Sequence, residues 1–143
     1  MQRHPSLRSL SSDHHSGLVL ARRARKAADG DAATQAIAWK AIQEAFQFEL
    51  EPHFQCEEHG LLPALRVAGE VELVERTFHE HRSMRALILQ NNPDNLAPFA
   101  KLLREHIRFE EKQLFETAQR VLGSKVLADM EQILRGASSQ QSS

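Results

Sequence analysis

The sequence has 143 residues, 41% of them hydrophobic, so it is long enough for one compact core and too short to favour two domains. Its 18 basic and 19 acidic residues nearly cancel, which leaves no large field of one sign to hold nucleic acid or an anionic membrane. We therefore expect a single domain that binds neither nucleic acid nor membrane.

Targeting and redox features are equally limited. The start of the chain, MQRHPSLRSLSSDHH, lacks the apolar core of a secretory signal, and no later apolar run exceeds about five residues. Cys56 is the only cysteine, so neither an internal disulfide nor a cysteine-based zinc site can form. We expect a cytoplasmic protein in which oxygen and imidazole groups bind any metal.

Apolar residues recur at helical rather than alternating spacing between a few breaks rich in glycine, proline and asparagine. We expect residues 1–11 to be a flexible N-terminal segment and the Ser/Gln-rich residues 137–143 to be disordered. Between them, the pattern predicts helices over residues 12–29, 32–67, 70–91, 95–122 and 124–135.

Four long amphipathic helices with short connections favour an up-down-up-down four-helix bundle, here over residues 12–136. Leu127, Met130 and Leu134 are spaced so that a short C-terminal fifth helix would pack as a lid on one end. Pro52 lacks the N–H that would bond four residues back, so we expect a kink in the second helix. The predicted fold class is all-α.

The second and fourth helices carry the same pattern. HFQCEEHGLL over residues 53–62 and HIRFEEKQLF over residues 106–115 both read histidine, apolar, two variable residues, Glu-Glu, two variable residues, Leu and a bulky apolar residue. Residues four apart lie about 40° apart on one helix face, so each copy places an imidazole beside a carboxylate. These pairs, His53 with Glu57 and His106 with Glu110, are candidate metal clamps.

The first and third helices each carry an acidic residue followed by a histidine, Asp13-His14 and Glu80-His81. The duplication of both patterns indicates a pseudo-twofold arrangement of two helix pairs. The apolar stripes favour His14 over His15, and His81 over His79, as the residues that face the core. A helix start fixes phase poorly, so the choice between His14 and His15 stays open.

Six polar residues therefore fall in the predicted core. Without partners, each buried imidazole or carboxylate would cost on the order of several kcal/mol, whereas metal ions would neutralise the carboxylates at once. Two ions could each take two imidazoles, with both glutamates bridging them. This donor set suits iron, manganese or zinc better than calcium or magnesium. The candidate ligands are His14, His53, Glu57, His81, His106 and Glu110.

Each feature also has a plainer interpretation. A lone buried histidine is usually a hydrogen-bonded core residue, and a lone His-x-x-x-Glu pair is usually a surface ion pair; duplication at matching phase argues against both. Glu58 and Glu111 are turned about 100° from the clamps, towards solvent or towards a supporting position. Cys56 is interpreted as a small core residue. The remaining groups are expected at the surface: His4, His15, His59, His79 and the cluster Arg22-Arg23-Arg25-Lys26.

The series acidic-His, His-x-x-x-Glu, acidic-His, His-x-x-x-Glu over residues 13–111, with Leu-Leu-Pro after the first clamp, resembles the hemerythrin-like, or HHE cation-binding, family. The resemblance covers nearly the whole chain outside its two ends. It implies a non-haem di-iron centre, bridged by two carboxylates and an oxo or hydroxo group, with an open position for dioxygen or another small diatomic. It makes the four candidate histidines terminal ligands and makes Glu57 and Glu110 the bridges.

One position departs from the family pattern. Oxygen-carrying hemerythrins have a fifth histidine four residues after the one that matches His81, and here that position is Arg85. The departure weakens the inference of reversible oxygen carriage and brings the chain closer to bacterial relatives linked to nitric oxide, peroxide or iron handling. His79 and Glu111 are the alternatives for the missing ligand.

Three functions remain open at this stage. The first is binding or sensing of dioxygen or nitric oxide, and a sensor would need a partner protein because the sequence supplies no output domain. The second is a small di-iron redox enzyme or iron donor acting on peroxide or nitric oxide. The third is a zinc-bound or metal-free structural bundle.

Overall fold

The computed structural model describes residues 3–130 and 132, and within them the chain is helical with no strand. The first helix is Pro5–Ala28 and the third is Val71–Ile88. The second helix is a continuous series of segments, and so is the fourth. The second helix comprises Ala32–Ala45, Phe46–Leu50, Glu51–Cys56, Glu57–Leu61 and Leu62–Val67. The fourth helix follows a short turn, Pro93–Asn95, and comprises Leu96–Phe109, Glu110–Leu114 and Phe115–Val121. A short fifth helix covers residues 124–130.

Each long helix packs against two others. The first contacts the second and the fourth, and the third contacts the same two. Leu127 and Met130 of the fifth helix are buried at one end of the bundle. The predicted all-α four-helix bundle with a short fifth helix is thus confirmed. Leu134 and the predicted disordered tail over 137–143 lie outside the described residues. None of the described helices has the length and apolar character needed to cross a membrane.

The start of the first helix was predicted wrongly. The helix begins at Pro5 rather than near residue 12, so residues 5–11 are helical and do not belong to a flexible segment. Proline suits this first position because its φ is already helical and its missing N–H is not needed there. The His4 side chain accepts a hydrogen bond from the Ser6 N–H at 3.0 Å. Leu7 and Leu10 are buried, which gives this extra length its packing.

Wide π-helical turns interrupt the second and fourth helices. One of them, Phe46–Leu50, lies directly before Pro52, and the helix resumes at Glu51–Cys56. The interruption predicted at Pro52 therefore takes the form of a π turn. The other two, Glu57–Leu61 and Glu110–Leu114, each begin at one of the predicted bridging glutamates. The structural duplication thus extends to the backbone, and single π turns of this kind are frequent at functional sites.

The apolar core is divided into two clusters along the bundle. One cluster is centred on Trp39, Phe46 and Phe99, and the other on Leu61, Leu65 and Phe115. On the first and third helices the candidate ligand lies between residues of the two clusters, and on the second and fourth helices the ligands lie where the two clusters meet. A layer of buried polar side chains therefore separates two apolar layers.

Candidate metal centre

The four long helices bring the six predicted ligands together in this polar layer. Every one of them is at most 5% exposed, and the two glutamates and His81 are fully buried. His15, His59 and His79 are exposed, so the choices of His14 over His15 and His81 over His79 agree with the burial of the side chains.

The six side chains form two groups that share two members. His14 and His53 form one group with Glu57 and Glu110, and His81 and His106 form the other with the same two glutamates. Within each group, one ligand atom per residue lies within 4.8 Å of all the others. Two cations could therefore lie side by side, each facing two imidazoles and both carboxylates.

In each of the four buried histidines, the Nε2 atom faces the shared glutamates Glu57 and Glu110. His14 Nε2 lies 2.7 Å from Glu110 Oε1, and His81 Nε2 lies 3.1 Å from Glu57 Oε1. His53 Nε2 is 3.3 Å from Glu57 Oε2, and His106 Nε2 is 3.3 Å from Glu110 Oε2. All four rings thus point the same nitrogen at the centre of the bundle.

Several of these buried atoms have no hydrogen-bond partner among the residues that the structure describes. They include Nε2 of His53 and of His106, and Oε2 of Glu57 and of Glu110. A buried polar atom without a partner costs about 1–3 kcal/mol, so a group of them pointing at one place calls for a ligand. Nitrogen lone pairs and carboxylate oxygens are the donors that a transition-metal ion accepts. The residues present therefore fit metal ions.

The outward Nδ1 atoms are held by a second set of acidic residues, which we call the outer carboxylates: Asp13, Glu58, Glu80 and Glu111. His53 donates from Nδ1 to Asp13 at 3.0 Å, His81 to Glu58 at 2.6 Å, and His106 to Glu80 at 2.7 Å. Glu111 Oε1 lies 3.2 Å from His14 Nδ1, which is within ion-pair distance, but the two atoms do not form a hydrogen bond. A proton kept on Nδ1 leaves the Nε2 lone pair free for a cation, and such carboxylates fix the orientation of metal-binding histidines.

The outer carboxylates are only partly predictable from the sequence. Glu58 and Glu111 were expected to face solvent or a supporting position, and they lie at the supporting position. Asp13 and Glu80 were noted only as parts of the repeated motif. The signal was present, since each precedes a core histidine, but each binds a histidine on a different helix.

Arg85 lies at the position of the missing fifth histidine, and its side chain binds carboxylates instead of serving as a candidate metal ligand. Its guanidinium donates to both oxygens of Glu51, at 3.0 and 2.9 Å, and to Glu58 at 2.8 Å. It therefore supports the carboxylate that holds His81. Neither alternative fills the gap: His79 is exposed, and Glu111 lies on the Nδ1 side of His14 while it also binds Arg3 at 2.9 Å.

Charge pairing in the layer is strong enough to overcome burial. Burial alone would lower the pKa of His106, but the negative charge of the neighbouring Glu110 and the hydrogen bond to Glu80 raise it to about 10. Burial likewise opposes protonation of His14, yet its contacts with Glu110 and Glu111 raise its pKa to about 8. A metal ion bound here would therefore compete with protons for the same nitrogens.

The comparison with known families agrees with this geometry. A family model described as the hemerythrin HHE cation binding domain matches residues 6–118, a span that includes all six core residues. No curated protein and no solved structure was found to match the chain. The match covers more than half of the sequence and coincides with the buried His/Glu groups able to hold metal ions. The chain therefore belongs to the hemerythrin HHE cation-binding domain family.

Proposed function

We propose that this chain binds two iron ions between its helices and uses them to take up dioxygen or another small diatomic such as nitric oxide. The observation that carries the proposal is that Glu57 and Glu110 belong to both ligand groups. Two ions that share two carboxylates would lie close together, and each would retain two imidazoles. Iron, when bound, supplies a change between ferrous and ferric states and coordination positions that a small ligand can occupy.

The chain's own residues prepare this site by fixing the positions of the four imidazoles. The Phe54 ring stacks on His81 with centroids 3.9 Å apart, and Phe115 stacks on His14 at 5.2 Å. The outer carboxylates hold the opposite edges of the four rings. Because apolar layers lie above and below, the polar layer has a low dielectric that strengthens interactions between charges.

Metal analysis tests the proposal. Protein purified from its own host should contain two irons per chain and show the near-ultraviolet absorption bands of an oxo-bridged pair. One iron or none would remove the di-iron proposal. Zinc alone would support the structural bundle instead.

A redox enzyme or iron donor is the second candidate, and Arg85 is the observation that favours it. Because Arg85 binds carboxylates and supplies no fifth imidazole, the two groups offer matching donor sets, unlike the oxygen-carrying pattern. Stopped-flow spectroscopy of the reduced protein separates the candidates. A stable oxygen adduct supports binding, whereas rapid oxidation or peroxide consumption supports turnover.

A further inference from the structure

A second feature lies on the outside of the bundle, between the first and fourth helices. It is a groove of about 830 Å³, which we call the basic groove. Small apolar residues line part of it, among them Ala21, Ala97 and Ala100. Cations of both helices also line it: Arg22, Arg25 and Lys26 from the first, and Lys101 and Arg104 from the fourth.

Most of this positive charge has no ion-pair partner in the part of the chain that the structure describes. Asp29, the one acidic residue of the groove, binds Arg25 at 3.1 Å. Among residues 3–130 and 132, no carboxylate lies within ion-pair distance of the other four groove cations. Like charges so close together repel one another, and a negative partner would relieve that repulsion.

The pseudo-twofold repeat shows what this surface lacks. Four residues after its core histidine, the third helix has Arg85, and the matching position of the first helix is Leu18. Two residues before its core histidine, the second helix has Glu51, and the matching position of the fourth helix is Arg104. Arg85 and Glu51 bind each other at 2.9 Å. Leu18 and Arg104 both line the basic groove. The second and third helices are therefore joined by the ion pair Arg85–Glu51. At the matching positions, the first and fourth helices have Leu18 and Arg104, which form no such pair.

We infer that the basic groove binds an acidic amphipathic helix of a partner protein. The first-helix lining runs from Leu18 to Asp29, which at 1.5 Å per residue is about 16 Å, or three helical turns. Leu18, Ala97 and Pro98 are the exposed apolar side chains of the lining, and an apolar stripe on the partner helix would contact them. Cations on both walls match carboxylates on both sides of an apolar stripe. A small anion would meet only part of this charge.

The test uses the full chain and a synthetic, fluorescently labelled helix of four turns that carries leucines at i, i+3, i+4 and i+7 flanked by glutamates. Fluorescence anisotropy should show saturable binding that weakens with salt. The double variant R22E/R104E should bind about tenfold more weakly. The matched control R23E/R108E changes charge equally on the same two helices, outside the groove, and should bind within about twofold of the unaltered protein.

Several results would overturn the inference. Equal loss in both double variants would mean that only net charge matters, and equal binding of a scrambled peptide would mean that no helix face is recognised. Binding to anionic phospholipid vesicles, or self-association, that depends on Arg22 and Arg104 without peptide binding would assign the groove to another occupant. Iron content and circular dichroism should be unchanged in both variants. If R22E/R104E does not fold, R104Q against R108Q makes the same comparison.

Discussion

Adjacent residue pairs give the polar layer its order. In each of Asp13-His14, Glu57-Glu58, Glu80-His81 and Glu110-Glu111, one member points into the centre and the other holds a histidine of a neighbouring helix. Neighbouring residues differ by about 100° around a helix, so one pair can serve two directions. Each long helix therefore contributes inner groups and support for another helix.

Replacing an outer carboxylate should weaken metal binding while the fold remains. We expect Glu80→Gln to lower metal affinity about 10- to 100-fold, because the amide holds the His106 Nδ1–H less strongly. Glu75→Gln is the matched control, since Glu75 lies on the same helix and binds Arg66 at the surface. Metal titration against a competing chelator measures both variants. Equal affinities would contradict the assigned role of Glu80.

Removing a core histidine should cost metal and stability together. We expect His53→Ala and His106→Ala each to lose bound metal and to lower the melting temperature of the metal-loaded protein, because binding energy contributes to folding. His59→Ala should do neither, since His59 is exposed and binds only Gln55 within the described residues. Metal analysis and thermal unfolding test this. Full metal content in His53→Ala would contradict the proposed ligand set.

Periodicity could identify the inner residues because a helix face is a local property. The repeat and the apolar stripes placed His53, Glu57, His106 and Glu110 in the core without any knowledge of neighbouring helices. The outer contacts depend on how far helices are rotated and shifted against one another, which local spacing does not determine. Arg85 is a further example. Its sequence position shows that the fifth histidine is missing, but its contacts with Glu51 and Glu58 depend on how the helices pack.

Most helix ends were predicted well, because glycine, proline or asparagine interrupts the helical spacing of apolar residues there. The first helix was the exception. Leu7 and Leu10 extend its apolar face, but they are buried in a cluster with residues far away in sequence, such as Leu114 and Leu127. A short amphipathic stretch at a chain end therefore gives a weak signal until its packing partners are known.

Gly69 ends the second helix in the left-handed region, with φ of 92°. The Glu70 N–H bonds to the Leu65 carbonyl at 2.9 Å, which completes the helix end. We expect Gly69→Ala to destabilise the fold by about 1 kcal/mol, because a Cβ disfavours this conformation. Gly123→Ala is the control, since Gly123 has no positive φ and, among the described residues, no neighbour within 4 Å of an added Cβ. Urea denaturation that ranks the two variants equally would contradict this assignment.

For the whole molecule, the polar layer makes the stability of the metal-free protein depend on pH. The pKa of His14 is raised from 6.5 to about 8 and that of His106 to about 10, because nearby glutamates outweigh burial. A pKa that is higher in the folded state means that protonation stabilises the fold. This stabilisation is complete below pH 6.5 and is lost as pH rises through 8 and then 10.

The chelated protein should therefore melt at progressively lower temperature as pH is raised from 6.5 to about 10. Metal-loaded protein should lose less stability over this range, because the cation takes the place of the protons. Differential scanning calorimetry of both forms measures the difference. A melting temperature of the chelated protein that stays level or rises would show that these histidines are not held as charged partners of the glutamates.

The proposed function requires two cations that lie side by side and share Glu57 and Glu110. Anomalous diffraction at the iron edge from crystals of the iron-loaded protein tests it most directly. We predict two peaks between the glutamates, one beside His14 and His53 and the other beside His81 and His106. A single peak, or peaks on the surface with Glu57 and Glu110 turned away from them, would contradict the account.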